Sequence, residues 1–115
     1  MRTTNYNNSQ PSFGVNIQEI GRIPRRYKKV IKEVAEAGKT LPGLKDDSTT
    51  FAITHLHGRI LPGRVFHIRP TNDEHIQSTT EVPRDLEKAK NWLIGKLYRL
   101  KGIEPSDPAY RLPEK

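Results

Sequence analysis

His55, His57 and His67 lie close together in the chain, with Arg59 and Arg69 interleaved among them. Imidazoles titrate near neutrality, so a pair of them can take a proton from a ribose 2′-hydroxyl and return one to the leaving oxygen, while an arginine stabilises the charge that develops on phosphorus. On this reading the chain is a small metal-independent endoribonuclease. His57 and His67 form the acid–base pair, Arg69 or Arg59 is the electrophilic partner, and His55 is an alternate. Three imidazoles on neighbouring strands can also converge on a transition metal. No carboxylate stands beside them to orient the rings, so neither a metal nor any other cofactor is assigned.

A second group of residues offers binding without catalysis. Seven of the twenty Lys and Arg residues fall within residues 21–40, against only Glu33 and Glu36, so most of the net charge of +7 is local. Arg22, Arg25, Arg26, Lys28, Lys29 and Lys32 crowd the start of a helical pattern, where the helix dipole already presents about half a positive charge and favours acids. A cationic cluster that opposes its own helix points to an external anion. Arg84, Lys88 and Lys90 open a second helical pattern and add a further patch. Lysine and arginine at such positions neutralise phosphates, with affinity that is independent of sequence and steeply dependent on salt.

The elements that must carry these residues follow from spacing. Pro24 suits a helix start, Tyr27, Val30, Ile31 and Val34 recur at helical intervals, and Gly38 suits the end. A second helix begins at Pro83 and stops at Gly102, with Leu86, Ala89, Leu93, Leu97 and Leu100 as its core stripe. Trp92, Ile94 and Tyr98 lie off that stripe and make the helix apolar on more than one face. Gly95, in its middle, costs about 1 kcal/mol relative to Ala and suggests close packing.

Between the helices two turn signals define strands. A three-residue loop, Leu61-Pro62-Gly63, pairs Ile60 with Arg64, Leu56 with Ile68 and Gly58 with Phe66, and it sets His57 opposite His67 and His55 opposite Arg69 on a polar face. A loop at Asn72-Asp73-Glu74 places Ile76, Ser78, Thr80 and Val82 on the apolar face and His75, Gln77, Thr79 and Glu81 on the polar one. The expected fold is therefore α+β: a helix, a three-stranded antiparallel sheet and a helix, with both helices on one face of the sheet in two layers.

The chain's 115 residues suffice for one domain. Residues 22–103 are expected to form it. Residues 1–21, rich in Asn, Ser and Gln, and the proline-containing residues 104–115 read as flexible tails. The absence of cysteine excludes a disulfide framework and Cys-ligated zinc. No apolar run resembles a signal peptide or approaches the ~20 residues of a membrane span, so a cytoplasmic protein that does not enter membranes is expected. Phosphate loops, nucleophile elbows and paired catalytic carboxylates are missing.

The helix–strand–strand–strand–helix order, with Arg84, Lys88 and Lys90 at the head of the last helix, is similar in topology to double-stranded-RNA-binding domains. Residues 51–100 are similar in topology to the arm-binding domain of phage-type integrases, and the helix-on-sheet platform resembles that of small endoribonuclease toxins. These likenesses imply contact with nucleic acid. The expectation is a small basic nucleic-acid-binding protein, RNA ahead of DNA, with the sheet-face ribonuclease as one alternative. Another is an adaptor or inhibitor of phage or mobile-element type, docking on a protein through Trp92, Ile94, Tyr98 or the tails.

Overall fold

A computed structural model describes residues 14–56 and 64–113. In chain order it contains β1 (Asn16–Ile20), α1 (Arg25–Ala37), β2 (Thr50–His55), β3 (Val65–Pro70), β4 (Ser78–Glu81) and α2 (Leu86–Lys101), followed by a single 3₁₀ turn at Pro108–Tyr110. The architecture is α+β, but the sheet corrects the expected fold. It has four strands in the order β1-β2-β3-β4, and β1 runs parallel to β2. A three-stranded antiparallel sheet is therefore ruled out.

The additional strand falls within the stretch read as a tail. Val15 is fully buried and Ile17 packs on the core, an alternation that fastens the chain to β2 before it turns at Gly21, whose φ is 76°. A parallel partner requires a crossover, and α1 supplies it. Val15 also approaches the end of α1: a Cβ on Gly38 would lie 2.5 Å from Val15 Cγ2, so the helix closes on a residue without a side chain.

α1 buries Tyr27, Val30, Ile31 and Val34 and exposes Arg25, Arg26, Lys28, Lys29 and Lys32. Pro24 stands at the N-cap, one position before the expected one. α2 begins at Leu86 rather than Pro83 because the Asp85 side chain caps it, accepting from the Lys88 N–H at 3.0 Å. It ends at Gly102 in the left-handed conformation, φ 72°. Ala89, Leu93, Ile94, Leu97 and Tyr98 are buried, whereas Leu86, assigned to the core stripe by spacing, is exposed at the first turn. Both helices pack on the sheet face formed by Phe51, Ile53, Phe66 and Ile68, and these residues share one hydrophobic cluster.

One of the two expected hairpin registers is found and the other is not. β3 pairs with β4 as the Asn72-Asp73-Glu74 loop requires, with Phe66 opposite Thr80 and His67 opposite Thr79. β2 pairs with β3 three positions away from the expected register: Ile53 faces Ile68, Thr54 faces His67 and His55 faces Phe66. An odd shift inverts the faces of the whole strand. The physical reason lies earlier in β2, where Phe51 and Ile53 together bury more apolar surface than Leu56 and pull the odd-numbered residues inward. The assigned turn residues Leu61, Pro62 and Gly63, with Gly58 and Ile60, lie outside the described residues.

Residues after α2 are ordered against it. Tyr110 stacks on Tyr98 with ring centroids 6.3 Å apart, and Arg111 Nε donates to the Pro105 carbonyl at 3.4 Å. This segment passes so close to α2 that a Cβ on Gly95 would sit 2.5 Å from the Tyr110 carbonyl oxygen. The described part of residues 104–115 packs on α2. At the same end of the molecule Asp47 pairs with Lys101 and accepts from the Thr49 N–H at 2.8 Å, and the Tyr98 hydroxyl donates to the Pro42 carbonyl at 2.7 Å.

Candidate nucleic-acid interface

The two cationic groups identified in the sequence meet in space. Arg26 Nη2 donates to the Arg84 carbonyl at 3.2 Å, and the Tyr27 hydroxyl donates to the neighbouring Pro83 carbonyl at 3.4 Å. The start of α1 is thereby tied to the segment that leads into α2. Arg22, Arg25, Arg26, Arg84 and Lys88 are all exposed at this junction, and Lys29 and Lys32 continue the charge along α1.

Most of these charges are not neutralised. Among the described residues, none of Arg22, Arg25, Arg26, Lys29, Lys32, Arg84 and Lys88 forms an ion pair. Two members of the expected set do: Lys28 pairs with Glu19 of β1 at 3.1 Å and Lys90 with Glu87 at 3.8 Å. α1 has no acidic residue in its first turn and no side-chain cap, so its N-terminal N–H groups add to the positive field. Asp85, the carboxylate next to Arg84 in sequence, is engaged with its own helix, and Glu81 and Glu87, three residues away on either side, pair with Arg64 and Lys90. The guanidinium of Arg26 also lies 5.5 Å from the centre of the Tyr27 ring, which holds it along the protein surface.

The histidine and arginine constellation is divided. His55 is buried on the helix side, its ring 5.0 Å from that of Phe66, because β2 takes the inverted register. His67 and Arg69 lie on the opposite, polar face, and the His67 ring nitrogen Nε2 shares a hydrogen bond with Gln77 Oε1 at 2.7 Å. His57 and Arg59 lie outside the described residues. His75, the fourth histidine, is exposed in the β3–β4 connection. His67, Arg69 and Gln77 line a shallow polar depression of about 610 Å³ with Thr71, Asn72, Asp73 and Glu74, so cations and carboxylates are mixed there. Among the described residues no three His, Asp or Glu side chains converge as metal ligands.

Of the proposed protein-docking set, Ile94 and Tyr98 are core residues. Trp92 is half-buried, and its indole N–H donates to Thr80 Oγ1 at 2.9 Å. The pairing of Glu19 with Lys28 and the Arg26–Arg84 contact were beyond sequence reasoning. The available signal was the Val15/Ile17 alternation, which marks a strand able to bring Glu19 beside α1.

No protein-family model matches the chain, and no curated protein or solved structure gives a significant match. No helix among the described residues is long and apolar enough to cross a membrane.

Proposed function

We propose that this protein binds nucleic acid through its phosphates, using the exposed cations of α1 together with Arg84 and Lys88. The observation that carries this reading is the contact between Arg26 and the Arg84 carbonyl, which brings together two basic patches far apart in sequence. Exposed cations that form no ion pair among the described residues repel one another where they lie close, and a polyanion relieves that repulsion. Phosphate contacts of this kind position a protein on nucleic acid without reading bases, and they are common to RNA and DNA.

The reading requires that both patches serve the same ligand. In a titration of an RNA or DNA duplex, Arg25→Gln with Lys29→Gln should weaken binding, and Arg84→Gln with Lys88→Gln should weaken it on the same duplex. Loss of binding from one pair and no change from the other would separate the patches and overturn the joint surface.

A further inference from the structure

A different part of α2 borders the free edge of the sheet. A cleft of about 430 Å³ lies there, lined by Thr79, Thr80 and Glu81 of β4, Trp92, Lys96 and Arg99 of α2, and Leu112 and Pro113 of the C-terminal segment. Its lining combines a strand edge, the Trp92 indole with two cations of the helix, and the apolar Leu112 and Pro113. β4 is the last strand of the sheet, and among the described residues its outer side has no strand partner.

The hydrogen-bonding pattern of that edge follows from the ladder. The Val82 N–H donates to the Arg64 carbonyl at 2.9 Å, and antiparallel pairing alternates, so the even-numbered residues of β4 bond to β3. The N–H and C=O groups of Thr79 and Glu81 consequently point away from the sheet, at the rim of the cleft. Their side chains lie on the polar face with His67, and the Glu81 carboxylate is paired with Arg64 at 3.2 Å, so the cleft receives their backbone rather than their charge.

The helix side of the lining is fixed and cationic. Trp92 is held by its hydrogen bond to Thr80 Oγ1, and Lys96 Nζ lies 5.8 Å from the ring centre. Arg99, two turns along the helix from Trp92, is exposed at the cleft, and among the described residues it forms no ion pair. Four helical residues rise about 6 Å, close to the 6.8 Å that two strand residues span, so alternate side chains of an added strand fall on successive turns of α2.

We infer that this cleft binds an extended peptide that adds to β4 as a fifth strand, placing an apolar side chain on Trp92 and acidic side chains near Lys96 and Arg99. The backbone groups of Thr79 and Glu81 provide affinity, and the helix selects the alternate side chains. The site is distinct from the α1 surface, and it retains a protein-binding role for Trp92 although Ile94 and Tyr98 are core residues. It does not depend on nucleic-acid binding.

The test uses the full chain, isotope-labelled for NMR, and the blocked peptide Thr-Leu-Thr-Glu-Thr-Glu-Thr, which sets a leucine and then two glutamates on one face of a strand, in the order of Trp92, Lys96 and Arg99 along α2. Saturable shifts at the Thr79 and Glu81 amides and the Trp92 indole are expected. Replacing both glutamates of the peptide by lysine, or Arg99→Glu in the protein, should weaken binding about tenfold or more. N-methylation of the peptide leucine and its neighbours should do the same by removing strand hydrogen bonds while leaving the charge intact. The inference is overturned if the shifts map to α1, if the N-methylated peptide binds equally well, if a nucleic-acid duplex shifts the same Thr79, Glu81 and Trp92 signals, or if no saturable shift occurs by about 1 mM.

Discussion

Arg26 and Arg84 stand 58 residues apart in the chain, yet the guanidinium of the first donates to the backbone carbonyl of the second at 3.2 Å. The contact aligns the starts of α1 and α2 at one end of the molecule. An arginine whose donors are partly satisfied by a carbonyl keeps its full charge, so the bond organises the basic surface without neutralising it.

The first prediction concerns β1. Val15 is fully buried against α1 and belongs to the core cluster. Val15→Ala should lower stability by about 1–3 kcal/mol, measured by urea denaturation, through lost burial and the cavity left behind. An unchanged midpoint would place residues 14–20 outside the cooperative unit.

The two histidines of adjacent strands should respond to different extents. His55 is buried against Phe66, whereas His67 is partly exposed and bonded to Gln77. His55→Ala should destabilise the fold by about 2–3 kcal/mol, and His67→Ala by less than about 1 kcal/mol. Thermal unfolding of both variants checks this, and equal losses would contradict the register of β2.

Gly95→Ala tests the packing of the C-terminal segment. In an open helix the change would stabilise by about 1 kcal/mol. Here the new methyl would lie 2.5 Å from the Tyr110 carbonyl and 3.0 Å from Leu112, so a net loss is expected, together with faster proteolysis after residue 103. A stabilised, protease-resistant variant would show that the segment does not pack there.

Asp47 predicts a pH dependence. Burial raises its pKa, but the hydrogen bonds from Lys101 and Thr49 and the Lys101 charge outweigh this and bring it down to about 2 from the ordinary 3.8. A depressed folded-state pKa contributes stability above the unfolded value, and that contribution is lost as the pH falls toward about 2. Asp47→Asn should therefore cost about 1–2 kcal/mol at neutral pH and progressively less below pH 4, in denaturation measured across that range. A cost that does not vary with pH would assign the role of Asp47 to hydrogen-bond geometry alone.

These outcomes bear on how far the sequence determines the fold. The α1 stripe of Tyr27, Val30, Ile31 and Val34 is readable because a narrow apolar row among charges has one way to face a core. The β3–β4 register is readable from the turn signal at Asn72-Asp73-Glu74, although the strands stop short of it and residues 71–77 form the connection, with Ile76 exposed. The β2 register is not, since the Leu61-Pro62-Gly63 signal competed with Phe51 and Ile53, and burial of two large side chains outweighs a turn preference. β1 escaped for a different reason. A parallel edge strand pairs across a helix, and nothing in its own five residues names β2 as its partner. The cations of the candidate interface were legible individually, but their junction depends on the way α1 and α2 pack.

The central claim is that the α1 cations contact phosphates, and the salt dependence of binding tests it most directly. Each phosphate contact with duplex DNA contributes about 0.9 to the slope of log affinity against log salt. For a duplex of about 20 base pairs the wild-type protein should show a slope of about −4 or steeper, and the triple variant Arg25→Gln, Lys29→Gln and Lys32→Gln should be shallower by about 2–3. A triple variant whose slope equals that of the wild type, or a wild-type protein that does not bind the duplex at low salt, would contradict the account.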